Sequence, residues 1–197
     1  MQALIVHSPL HLIVFYVAIF VCFVPEWFGS LFQRPEQGAV VRDRGSHFVL
    51  VVAVSAGIVA AFFLVNANLP GTTLTAQPLL FWIGIALMAC GLAFRWYAIR
   101  VLGKFFTRTV ATRAGQYVVD TGPYRLIRHP SYSGALLMFL GMGLAMTNWA
   151  SLLAIMLGTA IGYGWRVHVE EQALCADLGH PYRDYMRRTR RFVPFVW

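Results

Sequence analysis

The chain has 197 residues, of which 58% are hydrophobic and only 12% are charged; soluble domains average about 25% charged residues, so these proportions exclude a water-soluble fold. The net charge of +8 does not indicate nucleic-acid binding, because all sixteen Lys and Arg residues fall within 34–44, 95–128 and 166–191, the positive-inside pattern of membrane proteins. Three irregularly spaced cysteines exclude a disulfide scaffold, and Cys22 and Cys90 are expected in the core.

Five apolar stretches predict membrane-spanning helices, since a hydrocarbon core of about 30 Å requires roughly 20 apolar residues in a helix. In chain order, the predicted spans are residues 9–24, 48–65, 78–99, 134–147 and 149–165. The last two spans are short, and only Asn148 separates them. This tight connection predicts a helical hairpin.

The distribution of charge orients the five spans. The N-terminus and the two connections without charge fall on the outer side, and all three basic blocks then face the cytoplasm. The first span has no basic n-region and no small-x-small site, so we expect a transmembrane helix and not a cleaved signal peptide. The predicted fold is an all-α integral membrane protein with about five transmembrane helices, N-out and C-in. A short chain without a retention motif favours a prokaryotic inner membrane.

The first polar segment, residues 116–133, contains two proline turns, at Pro123 and Pro130. The residue before a proline is displaced from helical conformation, so the backbone changes direction twice. Tyr124 lies between the turns and Tyr132 follows them, so this cytoplasmic loop can present ring faces and backbone amides to a flat polar ligand. The alternative interpretation is a basic loop that binds lipid phosphates and anchors the topology.

The second polar segment begins where the last span leaves the bilayer, and it places Arg166 and Glu170 one turn apart on one helix face. One interpretation is an interfacial ion pair between them, with Arg166 snorkelling toward the headgroups. The other is a cavity at the bilayer surface, where Arg166 binds an anionic substrate group and Glu170 a cationic ligand. Gly179 predicts the end of this helix. Arg190 and Arg191 are expected on anionic headgroups.

An ordered set of motif positions runs through both segments, with the predicted hairpin between its two halves. The set comprises Gly122, Pro123, Tyr124, Arg125, Arg128, His129, Pro130, Ser131, Tyr132, Ser133, Gly134, Asn148, Glu170, Glu171, Leu174, Gly179, Tyr182, Tyr185 and Pro194. It resembles the isoprenylcysteine carboxyl methyltransferase family and the wider group of membrane phospholipid methyltransferases. The resemblance covers about residues 105–195. It divides the chain into three N-terminal transmembrane helices at 1–104 and a methyltransferase core at 105–197, with the cofactor loop, the hairpin and C-terminal amphipathic helices.

The resemblance implies a membrane methyltransferase that uses S-adenosylmethionine without a Rossmann domain. The family's substrate-contacting arginine corresponds to Arg166, which precedes the paired glutamates ending at Glu171. Arg128 and Arg188 match further arginines of the family pattern. Gln116 departs from the histidine that is frequent at its position, although glutamine also forms hydrogen bonds. The positions that match the family's cofactor-binding residues are Gln116, Tyr117, Val118, Val119, Tyr124, His129, Pro130, Ser131, Tyr132 and Glu170.

The residues of this set suit methyl transfer from a sulfonium cofactor. Tyrosine faces suit the sulfonium and adenine groups, and Glu170 suits the ammonium or the ribose hydroxyls. An acceptor carboxylate is ionised at pH 7 and needs no base, so Arg166 would orient it. An amine or thiol acceptor needs a base, for which Glu171 and His168 are the candidates. The carboxylate is favoured because an arginine leads the motif.

The predicted activity is therefore O-methylation of an isoprenylcysteine-like carboxylate on a lipophilic acceptor that enters from the bilayer. Alternatives are N-methylation of a phospholipid amine, S-methylation of a small thiol, a reductase that uses NADPH, and a non-enzymatic membrane module that binds anionic lipid or a partner. Membrane lipids are expected partners, and nucleic acid is not. His7 and His11 lie four residues apart without a nearby carboxylate or thiolate, so no metal site is predicted.

Overall fold

A computed structural model describes residues 3–32, 40–107, 110–112 and 115–193. Almost all of the regular structure is helical. The helices are α1 (Leu4–His7), α2 (Pro9–Phe32), α3 (Ser46–Ala67), α4 (Gln77–Leu102), α5 (Pro130–Ala145), α6 (Trp149–Leu178) and α7 (His180–Arg188), with 3-10 turns at Gly103–Phe105 and Gly122–Arg125. Two strands of two residues each, β1 (Val40–Val41) and β2 (Ala111–Thr112), pair antiparallel. This small pairing is the departure from the predicted all-α fold.

Each predicted span lies largely or wholly within one of the long helices. Of the described helices, α3, α4 and α6 are long and apolar enough to cross a membrane, whereas α5 and the apolar part of α2, Pro9–Pro25, are shorter. The chain is thus a membrane protein whose described residues are predominantly helical. The count of five spans and the N-out, C-in orientation stay predictions, as does the domain boundary at residue 105.

Three helix boundaries differ from the predicted spans by four residues or more. Helix α5 begins at Pro130, four residues earlier than expected, because proline is well suited to a first helical turn. Helix α2 continues past Pro25 to Phe32. Helix α6 runs unbroken for 30 residues and ends before Gly179, whose φ of +63° confirms the predicted helix stop.

The bundle is built from two closely packed pairs, α4 with α5 and α3 with α6. Glycines set the spacing of the α4–α5 pair. A Cβ atom at Gly141 of α5 would lie 2.5 Å from the Gly84 carbonyl oxygen, and one at Gly91 of α4 would lie 2.7 Å from the Gly134 carbonyl oxygen. Small residues let helix backbones approach closely where no water drives the helices together.

The predicted hairpin of α5 and α6 is confirmed, and Asn148 closes it. The Asn148 side chain accepts a hydrogen bond from the Ser151 amide at 3.0 Å, which caps α6. It also donates to the Thr72 hydroxyl at 2.9 Å, and the Leu74 amide donates to the Thr147 carbonyl at 3.0 Å. The connection between α3 and α4 is therefore fastened across the tip of the hairpin.

Large apolar side chains cover the outside of the bundle. Phe20, Phe63 and Trp82 are each at least half exposed, as expected for surfaces that face lipid acyl chains. Cys22 is buried as predicted. The same prediction for Cys90 is wrong, because this residue lies on an exposed face of α4. Apolar side chains face both the core and the lipid in a membrane protein, so hydropathy alone does not separate the two.

The close approach of α4 and α5 gives a testable prediction. Gly141→Ala should lower the free energy of unfolding by about 1–3 kcal/mol, because the added methyl group overlaps the α4 backbone. Gly164→Ala on α6 is the matched control, since no atom lies within 4 Å of its added carbon. Thermal unfolding in detergent should therefore show a lower Tm for the first variant only. Equal Tm values for the two variants would contradict this packing.

Candidate active site

A cavity lies where the 116–133 loop meets the membrane hairpin and α7. Its wall combines tyrosine rings, apolar side chains and a few polar groups. The lining residues are Leu102, Phe105, Phe106, Thr107, Val110, Gln116, Tyr117, Val118, Val119, Tyr124, Arg128, His129, Ser131, Tyr132, Glu170, Leu174, Leu178, Tyr182 and Tyr185.

The turn Gly122–Arg125 forms one wall of the cavity. Gly122 adopts a φ of +55°, which favours glycine, and a Cβ atom there would lie 3.1 Å from the Tyr97 hydroxyl. Tyr124 is buried on the cavity side, and its carbonyl accepts a hydrogen bond of 2.6 Å from the Tyr185 hydroxyl of α7. Helix α7 therefore fixes the backbone of the turn.

The start of α5 forms the opposite wall and carries two stacked rings. His129 and Tyr132 lie nearly parallel, with ring centroids 5.5 Å apart. The Tyr132 hydroxyl donates a hydrogen bond of 2.7 Å to Glu170 Oε2, and His129 Nδ1 lies 4.0 Å from the same oxygen. Glu170 is the carboxylate among the residues that line the cavity.

Glu171 points away from the cavity and binds three cationic or ionisable side chains. Arg128 Nε lies 2.8 Å from its Oε1, Arg191 Nη2 lies 2.9 Å from its Oε2, and His129 Nε2 lies 3.3 Å from Oε1. Successive residues of a helix point in different directions, so among the described residues the paired glutamates share only His129, which lies between them. The expectation that Arg191 lies on lipid headgroups is wrong, because its guanidinium is bound by Glu171.

The C-terminal segment, residues 189–193, forms a strap across the loop between the two proline turns. The Arg128 amide donates to the Arg190 carbonyl at 2.7 Å, and the Ser133 hydroxyl donates to the Phe192 carbonyl at 2.6 Å. The Glu171–Arg191 pair fastens this strap to α6. The start of α5 is thus held between α6, the other helix of the hairpin, and the strap.

Arg166 is buried on the far side of Tyr132 from the cavity, with 2% of its surface exposed. Its Nη1 atom donates to the Asp43 carboxylate and, at 2.9 Å, to the Ser46 hydroxyl, and its Nε donates to the Tyr132 hydroxyl at 3.3 Å. The snorkelling interpretation is therefore wrong. Arg166 and Glu170 are linked through the hydroxyl of Tyr132.

Asp43 stands in the turn between β1 and α3, and its environment favours the ionised carboxylate. Burial alone would raise its pKa, but hydrogen bonds from the His47 and Val110 amides, the Arg166 charge and the Ser46 hydroxyl lower the pKa below its usual value. The Asp43 carboxylate therefore contributes its full stabilisation at pH values above the pKa that Asp43 has in the unfolded chain. This stabilisation is lost as the pH falls through the lowered, folded-state pKa.

The residues assigned by family resemblance fall into two groups. All ten expected cofactor positions except Pro130 line the cavity, and Arg128 joins them. Pro130 instead begins α5. Arg166 and Glu171 lie outside the lining, and Arg188 is exposed and pairs with Asp120 at 2.8 Å. His168, one of the two candidate bases, is also exposed and contacts Gln172.

Sequence reasoning missed Asp43 and part of the cavity wall. The available signal for Asp43 was its position in the sequence. It is a single carboxylate between Arg42 and Arg44, three residues before a serine at a helix start. Leu178 repeats at helical spacing after Leu174 and was predictable as a neighbour on the same face. No motif signalled the remaining wall residues, which are Leu102, Phe105, Phe106, Thr107 and Val110.

One polar group in the cavity wall has no partner among the described residues. The Tyr124 hydroxyl is buried and makes no hydrogen bond of good geometry with the described residues, although the Ser131 side chain lies near enough to act against the rise in its pKa. Burial and then the nearby Glu170 charge raise the pKa of Tyr124 above its usual range, so the hydroxyl remains a donor at pH 7. A buried polar atom of this kind is rare without a water or ligand partner. It fits a polar ligand in this cavity.

The chain thus combines a helical membrane fold with a tyrosine-lined cavity at one end of its hairpin. A sequence model of the phospholipid methyltransferase family matches residues 79–178, which is just over half of the chain. The chain therefore belongs to the phospholipid methyltransferase family. This result confirms the family resemblance of the two polar segments.

Individual relatives agree with this assignment. The chain is 32% identical over 120 residues to protein-S-isoprenylcysteine O-methyltransferase B of Arabidopsis thaliana, covering 58% of this chain and 61% of the relative. It is 26% identical over 143 residues to the uncharacterized protein YpbQ of Bacillus subtilis, covering 72% of this chain and 82% of YpbQ. The chain thus spans about three fifths of the length of the first of these relatives.

A solved structure shares the fold. The eukaryotic intramembrane Ras methyltransferase ICMT (isoprenylcysteine carboxyl methyltransferase) superimposes with a TM-score of 0.61 over 98% of this chain and 70% of that protein, at 20% identity. At this identity the likeness concerns the fold. It extends over the N-terminal helices, where no motif was recognised in the sequence.

The cluster around Glu171 gives a second prediction. Glu171→Gln should lower the free energy of unfolding by about 3–5 kcal/mol, because the buried Arg128 loses the carboxylate that neutralises it, and the partly exposed Arg191 loses the same partner. Asp184→Asn is the control, because its partners His180 and Arg187 are exposed and such pairs contribute at most about 1 kcal/mol. Chemical unfolding in detergent should separate the two variants clearly. Equal effects would show that Glu171 does not stabilise the strap.

Proposed function

We propose that this protein is a membrane methyltransferase that uses S-adenosylmethionine and acts on a lipophilic acceptor. The observation that carries the proposal is the convergence of nine family-matched cofactor positions on one cavity, together with the unpartnered hydroxyl of Tyr124. We further propose that the cavity faces the cytoplasm of a prokaryotic cell, since the basic blocks flank it.

The donor groups of the cavity suit the cofactor's parts. Glu170 offers a carboxylate for an ammonium or ribose hydroxyls, and its neighbour Tyr132 offers a ring face. Tyr124 supplies both a ring and an unused hydroxyl donor. When bound, S-adenosylmethionine supplies an electrophilic methyl group on a sulfonium centre. No metal or Rossmann domain is part of this proposal.

The chain's own contribution to the reaction is orientation in a water-poor site. Phe105, Val110 and Leu174 give the cavity apolar walls that exclude water. Holding two reactants in line contributes up to about 7–11 kcal/mol to catalysis. We propose that Arg128 and Glu171 act as positioning residues, because their bonds hold the start of α5 and the C-terminal strap. Arg188 would steady the loop through Asp120.

The acceptor is proposed to approach from the Arg166 side of Tyr132. Among the relatives are protein-S-isoprenylcysteine O-methyltransferases, which favours a lipophilic carboxylate. Such a group is ionised at pH 7 and needs no general base. Arg166 would orient it, and the engagement of Glu171 with three other side chains is then no obstacle.

One observation supports a second candidate, N-methylation of a phospholipid amine. Arg166 is already neutralised by Asp43, and Glu170 adds a negative charge on the other side of Tyr132. This local balance favours a neutral or cationic acceptor over an anionic one. A base would then be required, and Glu170 is nearer the cavity than Glu171 or His168.

The assay that tests the proposal offers methyl-labelled S-adenosylmethionine to the purified protein in detergent. A prenylcysteine, a phosphatidylethanolamine and a small thiol serve as parallel acceptors. Label released by base as methanol identifies a methyl ester, and base-stable label in the phospholipid identifies N-methylation. Absence of both transfer and cofactor binding by calorimetry would contradict the proposed function.

Cofactor binding gives a third prediction. Glu170→Gln should weaken S-adenosylmethionine binding roughly 10–100-fold, because a charged hydrogen-bond partner is lost from the cavity. Asp177→Asn changes a carboxylate of the same helix that does not line the cavity, so its Kd should match that of the wild type. Calorimetric titration of both variants measures the effect. An unchanged Kd for Glu170→Gln would remove Glu170 from the cofactor site.

The acceptor side gives a fourth prediction. Arg166→Lys keeps the charge but loses the planar group that bonds Asp43, Ser46 and Tyr132 together. The KM for a carboxylate acceptor should rise roughly tenfold or more, with the Kd for the cofactor within a factor of three. Loss of cofactor binding alone would contradict an acceptor role for Arg166.

A further inference from the structure

Asp43 joins three parts of the protein that are far apart in the sequence. Its carboxylate accepts hydrogen bonds from the Ser46 hydroxyl at 2.9 Å and the His47 amide at 3.1 Å at the start of α3. It also accepts from the Val110 amide at 3.3 Å, beside the cavity, and from Arg166 of α6. Asp43 lies outside residues 79–178, the part that matches the family.

The Asp43 carboxylate restricts the position of the Arg166 guanidinium. A long arginine side chain has many rotamers, and ordering it requires bonds at more than one point. Asp43 and Ser46 hold the Nη1 end, and Tyr132 holds Nε. The guanidinium is therefore fixed at two places, and one of these is the hydroxyl of a residue that lines the cavity.

A polar relay follows from these contacts. Arg166 donates to the Tyr132 hydroxyl, which in turn donates to Glu170. Asp43 is the outer end of this relay and Glu170 the inner end, within the cavity wall. A change of charge at Asp43 would thus act on Arg166 and, through Arg166, on Tyr132. It would also act on Val110, which lines the cavity and donates its amide hydrogen bond to Asp43.

The chain supplies a natural comparison in the adjacent residue. Arg42 pairs with Asp177 at 2.7 Å, so the same turn is tied a second time to the same helix. The Arg42–Asp177 pair is more exposed than the Arg166–Asp43 pair, because 45% of the Arg42 side chain and 19% of the Asp177 side chain are accessible. Asp177 does not line the cavity. Among the described residues, these two ion pairs and a hydrogen bond of 3.3 Å from Arg44 to Gln172 connect the turn to α6. Of these three contacts, the Asp43 pair is the one in which the partner on α6 is bonded to a residue of the cavity wall.

We propose that Asp43 is a positioning residue that sets the orientation of Arg166 for the methyl acceptor. The inference rests on the proposed function, because it takes the Arg166 side of Tyr132 as the acceptor side. It assigns a role in the acceptor site to the N-terminal half of the chain. Asp43 itself is not proposed to touch the acceptor or the cofactor.

The test compares Asp43→Asn, Asp43→Glu and Asp177→Asn with the wild-type protein in detergent. The probe is an N-acetylated prenylcysteine with a free carboxylate, and its methyl ester serves as the uncharged reference. Three quantities are measured: binding of the probe to cofactor-free protein, the Kd for S-adenosylmethionine, and KM and kcat for the probe. Thermal unfolding of each variant accompanies them.

Asp43→Asn should weaken binding of the carboxylate probe and raise its KM roughly 10–100-fold, because Arg166 loses the bond that fixes its orientation, and this loss should outweigh the positive charge that it frees. The Kd for the cofactor should stay within threefold, and binding of the methyl ester should not change. Asp43→Glu should restore most of the affinity for the probe. Asp177→Asn should behave like the wild type in all four measurements.

Two results would overturn the inference while leaving the proposed function intact. One is an unchanged affinity of Asp43→Asn for the carboxylate probe. The other is a parallel loss of probe binding, cofactor binding and thermal stability that Asp43→Glu does not rescue, which would make Asp43 a purely structural residue. A wild-type protein that binds neither cofactor nor probe would overturn the proposed function and this inference together.

Discussion

The burial of one guanidinium constrains the arrangement of the site. Arg166 has 2% of its surface exposed at the end of an apolar helix stretch, where an unpaired charge is expensive. The fold meets this cost by bringing Asp43 and Ser46 from the start of α3 and Tyr132 from the start of α5 to the same point. Three helices must therefore converge there, and their convergence places the cavity beside Tyr132.

The two neighbouring glutamates lie in different environments, one at the cavity and the other in the cluster that holds the C-terminal strap. Glu170 lines the cavity and accepts a hydrogen bond from Tyr132, whereas Glu171 binds Arg128 and, through Arg191, the C-terminal strap. Their separation follows from helix geometry, since adjacent residues point in different directions. A pair of identical residues in the sequence thus serves two environments, and exchanging their roles would require rotating α6 within the bundle.

Much of the fold could be predicted from the sequence, because in a membrane protein the patterns of hydropathy and charge mainly indicate one arrangement of helices. The positions of the long apolar helices, the hairpin at Asn148 and the helix stop at Gly179 followed from local rules. The partners of Arg166 and Arg191 did not, since Asp43 is 123 residues from the first and pairing over such distances leaves no local pattern. The prediction that Cys90 is buried failed for another reason. In a lipid environment, moving an apolar side chain from the lipid into the protein core stabilises the fold very little.

The unbroken length of α6 has a consequence for how the proposed lipophilic acceptor would reach the site. At 1.5 Å per residue, its 30 residues extend about 45 Å, roughly 15 Å more than the hydrocarbon core. Counting from Trp149, Arg166 lies about 25 Å along this helix. In the predicted N-out, C-in orientation, with Trp149 at the outer edge of the core, this places Arg166 close to the inner edge. An acceptor can then keep its chain among the lipid tails while its head group sits at the interface. The protein would need no energy source to extract its substrate, and diffusion within the leaflet would deliver it.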